Sequence, residues 1–506
     1  MTEEQRFVRR DSSLDLSTEA LRELSSHAVA LVNDYFENLS AMPVFPPIAG
    51  GEIKKRLGAL PLEAQPVERL FADLRAIIES SRQNGHPRFF AYVASPATPP
   101  GAFADLIAST LNATVTSWRS GPAATEVELI VVRWLGSLIS YGENVHGLLT
   151  SGGSMANLLA LLIALRSRSE GSPAHDGLWR NQTPQSIYAS DQIHMSIPKA
   201  ADILGIGRNQ VRIVDTDDRF RIKTTNLRQR IKADLQGGLK PFCVVASAGT
   251  VNTGAVDPLE EVAEVAREFG LWFHVDGAYG MPAALDPAKQ PLFAGLELAD
   301  SVSLDPHKWL YTPVDCGCLL FHDETVARSA FSANGADYIK VHEQEDEESF
   351  AFWDYGMELS RRFRALKVWF TLKYYGARRL AESISDDNAL ARYLADTITD
   401  SEDFELLAPV ELSICCFRYL PLSVRNSLAS ASAAEAQRLN ASLDQLNTRI
   451  MHAVQRGGRA YLSNATIRGR FALRVCITNF RTTRADIDLT LEVIREAATR
   501  LGTAEG

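Results

Sequence analysis

Short apolar segments with strand character alternate with helical segments along the middle of the chain, from residue 147 to residue 330. Strands that alternate with helices pair in parallel, and the helices cover both faces of the resulting sheet. The pattern therefore predicts a mostly parallel α/β sheet. Ligands of open sheets of this kind lie beyond the carboxyl ends of the strands, so the residues that follow each strand are the first candidates for a functional site.

The chain has 506 residues, which is too many for one simple core, and we expect two or three domains. Residues 1–85 have helical patterns, including an amphipathic stretch from Glu19 to Leu39 with a cap at Ser17 or Thr18. A long helix that opens at Ser360 is predicted to join the later domains. The predicted division is a helical segment at 1–85, a large domain at 86–384 and a smaller α+β domain at 385–506.

The composition restricts the partners and the compartment. The net charge of −10 argues against nucleic acid or an anionic membrane as a partner. The longest apolar run, Leu158 to Leu165, is far too short to span a bilayer. The charged start of the chain lacks an apolar signal region, so we expect a cytoplasmic protein. The six cysteines show no metal-ligand spacing and are predicted to be buried free thiols, with no metal site.

A lysine follows one of the predicted strands. The segment from Ser301 to Leu304 is apolar and Pro306 cannot continue a ladder, so the strand should end near Asp305. Lys308 then lies just beyond a strand end, where a lysine can form a Schiff base with a carbonyl compound. Pyridoxal 5'-phosphate (PLP) is the commonest cofactor of that type. A lone lysine is more often a solvated surface residue, so this hypothesis needs support from elsewhere.

An aspartate 32 positions upstream gives that support. The segment from Trp272 to Asp276 is a second apolar strand that ends in an acid. A buried carboxylate needs a cationic partner, and the protonated ring nitrogen of PLP is one, because an ionised aspartate keeps that nitrogen protonated. Taken alone, Asp276 is as well explained by a helix cap or a structural ion pair. Together with Lys308 beyond the next strand, it favours a PLP site.

A glycine-rich turn is a candidate for the cofactor's phosphate. The segment from Gly147 to Asn157 has the pattern of a strand, a glycine turn and the start of a helix. Backbone N–H groups at a helix N-terminus bind anions, and small residues let a phosphate approach closely. An ordinary strand-to-helix turn has the same composition. The chain has no Gly-x-Gly-x-x-Gly fingerprint, which counts against a dinucleotide site.

The segments His274 to Tyr279 (HVDGAY) and Asp305 to Trp309 (DPHKW) resemble the signature of the group II PLP-dependent amino-acid decarboxylases. The aromatic-L-amino-acid decarboxylases are the best match within that group, and the resemblance extends from about residue 10 to about residue 490. It implies the aspartate-aminotransferase type of fold (PLP-dependent transferase fold type I), with a mostly parallel seven-stranded sheet in the large domain. It also implies a homodimer with active sites at the interface and an N-terminal helical arm that packs on the partner subunit.

The resemblance implies a role for each residue around the cofactor. Lys308 forms the Schiff base, Asp276 pairs with the ring nitrogen, and His194 stacks on the ring face. Gly153 and Ser154 hold the phosphate. The implied cofactor-binding residues are Gly153, Ser154, His194, Thr250, Asp276, Ala278, His307 and Lys308, and the implied catalytic residues are Lys308, Tyr338 and His194.

The resemblance also implies a pocket for the substrate side chain. A serine at position 360 is often found in enzymes for phenolic amino acids, which mildly favours tyrosine, DOPA or phenylalanine over tryptophan. Thr116 stands where animal members carry an aromatic residue, so the pocket wall there is expected to be looser. The implied pocket residues are Tyr92, Val93, Trp118 and Ser360.

We interpret the chain as a PLP-dependent decarboxylase of aromatic L-amino acids, with Tyr338 on a loop that closes over the partner subunit's site. Three alternatives remain. A decarboxylase for an acidic or diamino substrate is one, and an acidic substrate would need a cation such as Arg88 or Arg119 for its distal acid group. An aldehyde synthase also deaminates its substrate oxidatively, but such enzymes often replace the residue at 338 or at 194, and this chain keeps Tyr338 and His194. A non-catalytic α/β binding protein is a different class altogether.

Overall fold

The computed structural model describes residues 14–48, 50–58, 60–169, 183–331 and 347–503. Its helices are α1 Thr18–Asn38, α2 Gly50–Leu57, α3 Val67–Glu79, α4 Pro99–Leu111, α5 Pro122–Leu138, α6 Gly153–Arg168, α7 Ser196–Ile203, α8 Thr224–Gln236, α9 Leu259–Phe269, α10 Pro306–Trp309, α11 Glu324–Phe331, α12 Ala365–Thr399, α13 Leu422–Ser430, α14 Ala433–Gly457 and α15 Arg484–Thr503. Its strands are β1 His146–Thr150, β2 Gln185–Ser190, β3 Val211–Val214, β4 Lys240–Ser247, β5 Trp272–Asp276, β6 Ser301–Leu304, β7 Gly317–Phe321, β8 Phe404–Leu406, β9 Ile414–Tyr419, β10 Ser463–Ile467 and β11 Arg470–Cys476.

Seven strands form the main sheet, in the order β1-β7-β6-β5-β4-β2-β3. The pairs β6–β5, β5–β4, β4–β2 and β2–β3 are parallel. Strand β7 runs antiparallel to both of its neighbours, β1 and β6. Because only β7 reverses direction, β1 runs the same way as the parallel strands. The predicted mostly parallel sheet of seven strands is therefore confirmed.

The central strands of the main sheet lie in the core. Every residue of β2, β5, β6 and β7 is buried. A strand that is buried on both faces carries a continuous apolar run instead of an alternating one. Helix α6 packs across β4, β5, β6 and β7, and α9 packs on β4 and β5. This packing fixes the positions at which the strands end, and those ends carry the candidate site.

Four strands form a second sheet, in the order β10-β11-β9-β8, and every neighbouring pair in it is antiparallel. Helices α14 and α15 pack against each other and onto this sheet. The core between them includes Phe417, Ile450, Leu473 and Ile494. These elements match the mixture of helices and strands predicted for residues 385–506. The division into three domains with boundaries after residues 85 and 384 stays a prediction.

Helix α1 has a defined start but a poorly covered surface. The Oγ atom of Ser17 accepts a hydrogen bond from the backbone N–H of Ala20 at 3.2 Å, which confirms the predicted cap. None of the side chains of α1 is buried among the described residues. Leu21 and Leu24 are 56% and 37% exposed. A helix with exposed leucines gains little from burial within its own chain.

The long helix that links the two sheets begins later than the sequence predicted. It starts at Ala365 and not at Ser360. Arg361 is buried and donates to the carbonyl oxygens of Val115 and Leu149 at 2.9 and 2.8 Å, and it also pairs with Glu128. These contacts hold the chain in an irregular conformation before Ala365. Amphipathic periodicity could not reveal them, because all three partners are distant in the sequence.

The six cysteines are all free and buried, as predicted. Burial raises the pKa of each of these thiols. They therefore stay protonated at neutral pH and are poor nucleophiles. In the part of the chain that the structure describes, no helix is long and apolar enough to cross a membrane.

Candidate active site

The ends of five strands of the main sheet meet at one cavity of about 580 Å³. Strands that run in the same direction end at the same edge of a sheet, so the residues that follow β1, β2, β4, β5 and β6 converge there. Most of the residues predicted from the sequence line this cavity: Tyr92, Val93, Gly153, Ser154, His194, Thr250, Asp276, Ala278, His307 and Lys308.

Lys308 lies in the short helix α10, after β6 ends at Leu304 as predicted. Its Nζ atom is 2.8 Å from Oδ2 of Asp305, and the lysine side chain is 24% exposed. Oδ1 of Asp305 is buried and has no hydrogen-bond partner within the described residues. The sequence analysis used Asp305 only to mark the strand end, although an acid three residues before a lysine is a recognisable pairing signal. A carbonyl compound that binds Lys308 must take the place of this ion pair.

Asp276 is held at the end of β5 by neutral groups. The described partners of Oδ1 are the backbone N–H of Ala278 at 3.2 Å and the hydroxyl of Ser303 at 3.3 Å. Oδ2 accepts a hydrogen bond from the side-chain amide of Asn157 at 2.8 Å. The carboxylate is 7% exposed and faces the cavity. A nearly buried carboxylate with neutral partners still favours a cation, such as a protonated ring nitrogen.

The turn before α6 consists of small residues that let a ligand approach its backbone closely. Gly152 has a φ angle of 149°, which residues that carry a side chain rarely adopt. A Cβ atom on Gly153 would lie 2.8 Å from Cβ of Ala278 and 3.1 Å from Oδ2 of Asp305, so only glycine fits there. Residues 151–154 line the cavity at the N-terminus of a 16-residue helix. Backbone N–H groups at such a terminus suit a phosphate.

His194 lies in the loop after β2. Its Nδ1 atom accepts a hydrogen bond from the backbone N–H of Ser196 at 3.2 Å and is 2.9 Å from the hydroxyl oxygen of Ser196. Burial lowers the pKa of His194, and the nearby charge of Asp276 only partly opposes this effect. The ring is therefore neutral at pH 7, and its hydrogen-bond partners assign the proton to Nε2. A flat neutral ring on the cavity wall can stack on a cofactor ring.

Thr250 and His307 are both fixed by hydrogen bonds. Oγ1 of Thr250 accepts from the backbone N–H of Ala255 at 3.1 Å and lies 2.9 Å from Oγ1 of Thr253. Nδ1 of His307 lies 2.7 Å from the carbonyl oxygen of Cys316 and 3.2 Å from the backbone nitrogen of the same residue. Burial lowers the pKa of His307, so this ring is also neutral. Both residues are preorganised parts of the cavity wall.

The structure separates the predicted pocket residues into two groups. Tyr92 and Val93 line the cavity. Trp118 and Ser360 lie outside the lining that the described residues form: Nε1 of Trp118 donates to Glu126 at 2.9 Å, and Ser360 is exposed. Thr116 is also buried elsewhere, with its hydroxyl donating to the carbonyl of Leu359 at 2.6 Å. Tyr338 lies outside the described residues.

Besides Lys308, the described lining of the cavity contains a cation that the sequence analysis missed. Arg88 is bound to Asp486 at 3.0 Å, and Arg119 lies 3.8 Å from Glu348; neither is in the lining that the described residues form. Arg474 lines the cavity and is 3% exposed. Its Nη2 atom is buried without a hydrogen-bond partner among the described residues. Arg474 comes from β11 of the second sheet, so no local pattern linked it to the strand ends of the main sheet.

These residues fit PLP. The turn at Gly153 places the N-terminus of α6 in the lining, where backbone N–H groups suit the phosphate, and Asp276 offers an anion for the ring nitrogen. Lys308 offers a primary amine in the lining of the same cavity. The fold and the site together define a PLP-dependent enzyme of fold type I.

Comparison with known proteins identifies the family. The pyridoxal-dependent decarboxylase conserved domain matches residues 52–420. The chain is 34% identical over 477 residues to the aromatic-L-amino-acid decarboxylase of Bacillus atrophaeus, covering 94% of this chain and 95% of that one. It is 31% identical over 504 residues to the phenylacetaldehyde synthase of Petunia hybrida, covering 98% and 97%. The crystal structure of Oryza sativa TDC with PLP and tryptamine superposes with a TM-score of 0.87 at 28% identity, covering 97% of this chain and 100% of that one.

The chain therefore belongs to the pyridoxal-dependent decarboxylase family. It is a PLP-dependent carboxy-lyase.

Proposed function

We propose that the enzyme decarboxylates aromatic L-amino acids to the corresponding amines. The observation that carries the proposal is the position of Tyr92 and Val93, which line the same cavity as Lys308. Tyr92 has a φ angle of 58°, and its carbonyl oxygen accepts a hydrogen bond from Arg474 at 2.8 Å. A non-glycine residue in this conformation is held there by its surroundings. The aromatic substrate that the 34% identical relative is named for supports the same choice.

The side chains that surround the cofactor have separate tasks. PLP supplies an electron-withdrawing ring that accepts the electron pair left behind when the carboxylate departs. Lys308 would provide the amine that holds the cofactor. Asp276 would hold the proton on the ring nitrogen, and His194 would support the ring plane.

Arg474 supports a second candidate substrate class. Its buried Nη2 atom is free among the described residues and belongs to the cavity lining. A guanidinium group binds carboxylates by paired hydrogen bonds. It could therefore receive the α-carboxylate of any amino acid or the distal acid group of glutamate or cysteine sulfinate.

A product assay distinguishes these candidates. The purified enzyme with PLP is given phenylalanine, tyrosine, DOPA, tryptophan, glutamate, cysteine sulfinate or a diamino acid, and carbon dioxide, amine and aldehyde are measured for each. We expect amine and carbon dioxide in equal amounts from the aromatic substrates. Turnover of the acidic substrates alone would overturn the proposal and assign the distal group to Arg474.

Tyr338→Phe should change part of the product from amine to aldehyde. We propose Tyr338 as the proton donor on the family resemblance alone. The carbon that loses the carboxylate either takes a proton, which gives the amine, or is oxidised by dioxygen, which is reduced to hydrogen peroxide while water releases the ammonia and leaves the aldehyde. Phenylalanine keeps the ring and removes the donor, so we expect slower amine formation and measurable aldehyde from the same substrate. Tyr374→Phe, at an exposed tyrosine of α12, is the matched control. Amine at the wild-type rate without aldehyde would make Tyr338 a bystander and His194 the next candidate.

We also propose that the working unit is a homodimer with composite active sites. Two observations support it: α1 buries no side chain among the described residues, and Trp118 and Ser360 lie outside their own chain's cavity. A second copy of the chain would cover α1 and bring those residues to its partner's site. Light scattering at the assay concentration should give twice the chain mass, and a fully active monomer would contradict the proposal.

We propose a cytoplasmic location as well. All six cysteines are free, which suits a reducing compartment. Cell fractionation that places the enzyme outside the cytoplasm would contradict this.

A further inference from the structure

One buried side chain, Asn157 on α6, joins two groups of the cavity lining, Asp276 at the end of β5 and His194 in the loop after β2. Its Nδ2 atom donates to Oδ2 of Asp276 at 2.8 Å and to Oγ of Ser196 at 2.9 Å. The hydroxyl oxygen of Ser196 is in turn 2.9 Å from Nδ1 of His194. The amide therefore contacts Asp276 directly and reaches His194 through one hydroxyl. Nothing in the sequence pattern separated Asn157 from the rest of the helix.

The orientation of the amide is fixed from its other side. Oδ1 of Asn157 is 3.0 Å from Nε2 of His274, which is fully buried. Since a carboxylate accepts only, Nδ2 must face Asp276 and Oδ1 must face His274. Burial lowers the pKa of His274 to about 4, so its neutral ring donates from Nε2 to Asn157.

Beyond His274, the hydrogen bonds continue, and each one pairs a donor with an acceptor. Nδ1 of His274, without a proton, lies 2.9 Å from the hydroxyl oxygen of Ser301, which can donate to it. The same oxygen accepts from Nε1 of Trp272, a group that can only donate, at 2.9 Å. The donor direction is therefore set from Trp272 at one end toward His194 at the other. A fully satisfied buried network of this kind holds its members in one arrangement.

We propose that Asn157 is a positioning residue that holds the carboxylate of Asp276 and the ring of His194 in register with each other. Its first N–H keeps Oδ2 of Asp276 from rotating away from the cofactor's ring nitrogen. Its second N–H occupies the acceptor site of Ser196, so the serine hydroxyl is left to donate to Nδ1 of His194 and the histidine proton stays on Nε2. The proposal rests on the family's cofactor and is independent of which amino acid is the substrate.

The test measures cofactor binding to the apoenzyme instead of turnover. Trp309 follows Lys308 directly in the sequence, and we use quenching of tryptophan fluorescence by added PLP to measure its dissociation constant. Asn157→Leu keeps the approximate size and removes both donors. We expect its dissociation constant for PLP to rise by about tenfold or more, because a hydrogen bond to a charged group is lost. The matched control is Asn447→Leu, at another buried asparagine, which bonds to Tyr419 at the end of β9 and to Leu443 within α14. That variant should bind PLP with the wild-type dissociation constant, even if its melting temperature is lower.

Combining Asn157→Leu with substitutions of its partners separates a positioning role of Asn157 from a general loss of stability. If Asn157 acts through Asp276 and Ser196, then Asn157→Leu should change the PLP dissociation constant by less than about twofold in a chain that already carries Asp276→Asn and Ser196→Ala. Asn157→Asp is the second variant, for the case that leucine prevents folding. It keeps the acceptor for His274 but replaces both donors and places a second carboxylate beside Asp276, so it should also weaken binding. Wild-type affinity in either single variant, or an undiminished effect in the combined background, would overturn the proposal.

Discussion

Lys308→Ala should abolish turnover while the chain still folds. We propose the lysine amine as the group that bonds to PLP, and alanine at this position in the short helix α10 cannot replace it. Folding should survive, because the lysine side chain is 24% exposed and its described ion-pair partner is Asp305 alone. The variant leaves Asp305 without its cation, so some loss of stability is expected. Turnover of the preferred amino acid, measured beside circular dichroism, checks both parts.

A matched lysine gives the control for this variant. Lys289 is partly buried and donates to the carbonyl oxygen of Glu411, outside the cavity lining that the described residues form. Lys289→Ala should keep its turnover. Wild-type turnover by Lys308→Ala without any added amine would show that another group bonds to the cofactor.

Asp276→Asn should fold and still bind some PLP, but its turnover should fall by about 100-fold or more. An amide has nearly the shape of the carboxylate but lacks the negative charge that we propose keeps the ring nitrogen protonated. The pKa of that nitrogen falls without the anion, and the ring then accepts the electron pair less readily. The absorbance spectrum and the turnover rate of the variant, compared with those of the wild type, measure the two effects separately.

Asp286→Asn is the control for the charge of a buried aspartate. Asp286 is 5% exposed and accepts a hydrogen bond from Asn388 at 2.9 Å, away from the cavity. Its amide variant should turn over substrate at the wild-type rate. Near-normal rates for Asp276→Asn as well would remove Asp276 from the site.

The parts of the site that depend on strand ends were predictable from the sequence. Lys308, Asp276 and the turn at Gly153 each follow a short apolar segment, and a parallel sheet brings such positions together without any further information. The chemistry of a lysine and an acid at those positions then restricted the cofactor. The family resemblance added Thr250 and His194, which local patterns alone would have left as ordinary loop residues.

The parts that depend on contacts between distant elements were not predictable in the same way. Arg474 reaches the cavity from the second sheet, and Asn157 reaches Asp276 from the first turns of α6. Both are single polar residues in apolar segments, and a pattern that marks burial does not reveal their partners. The start of α12 was misplaced for the same reason, since Arg361 has contacts with residues from three other segments.

The central claim is that Lys308 holds PLP where the strand ends meet. Borohydride reduces a Schiff base to a stable amine, so reduction of the holoenzyme followed by protease digestion and mass spectrometry locates the modified lysine. We predict the pyridoxyl group on the peptide that contains Lys308, and its loss when substrate in excess is added before the reductant. A pyridoxyl group on a different lysine, or none at all in an enzyme that turns over substrate, would contradict the account.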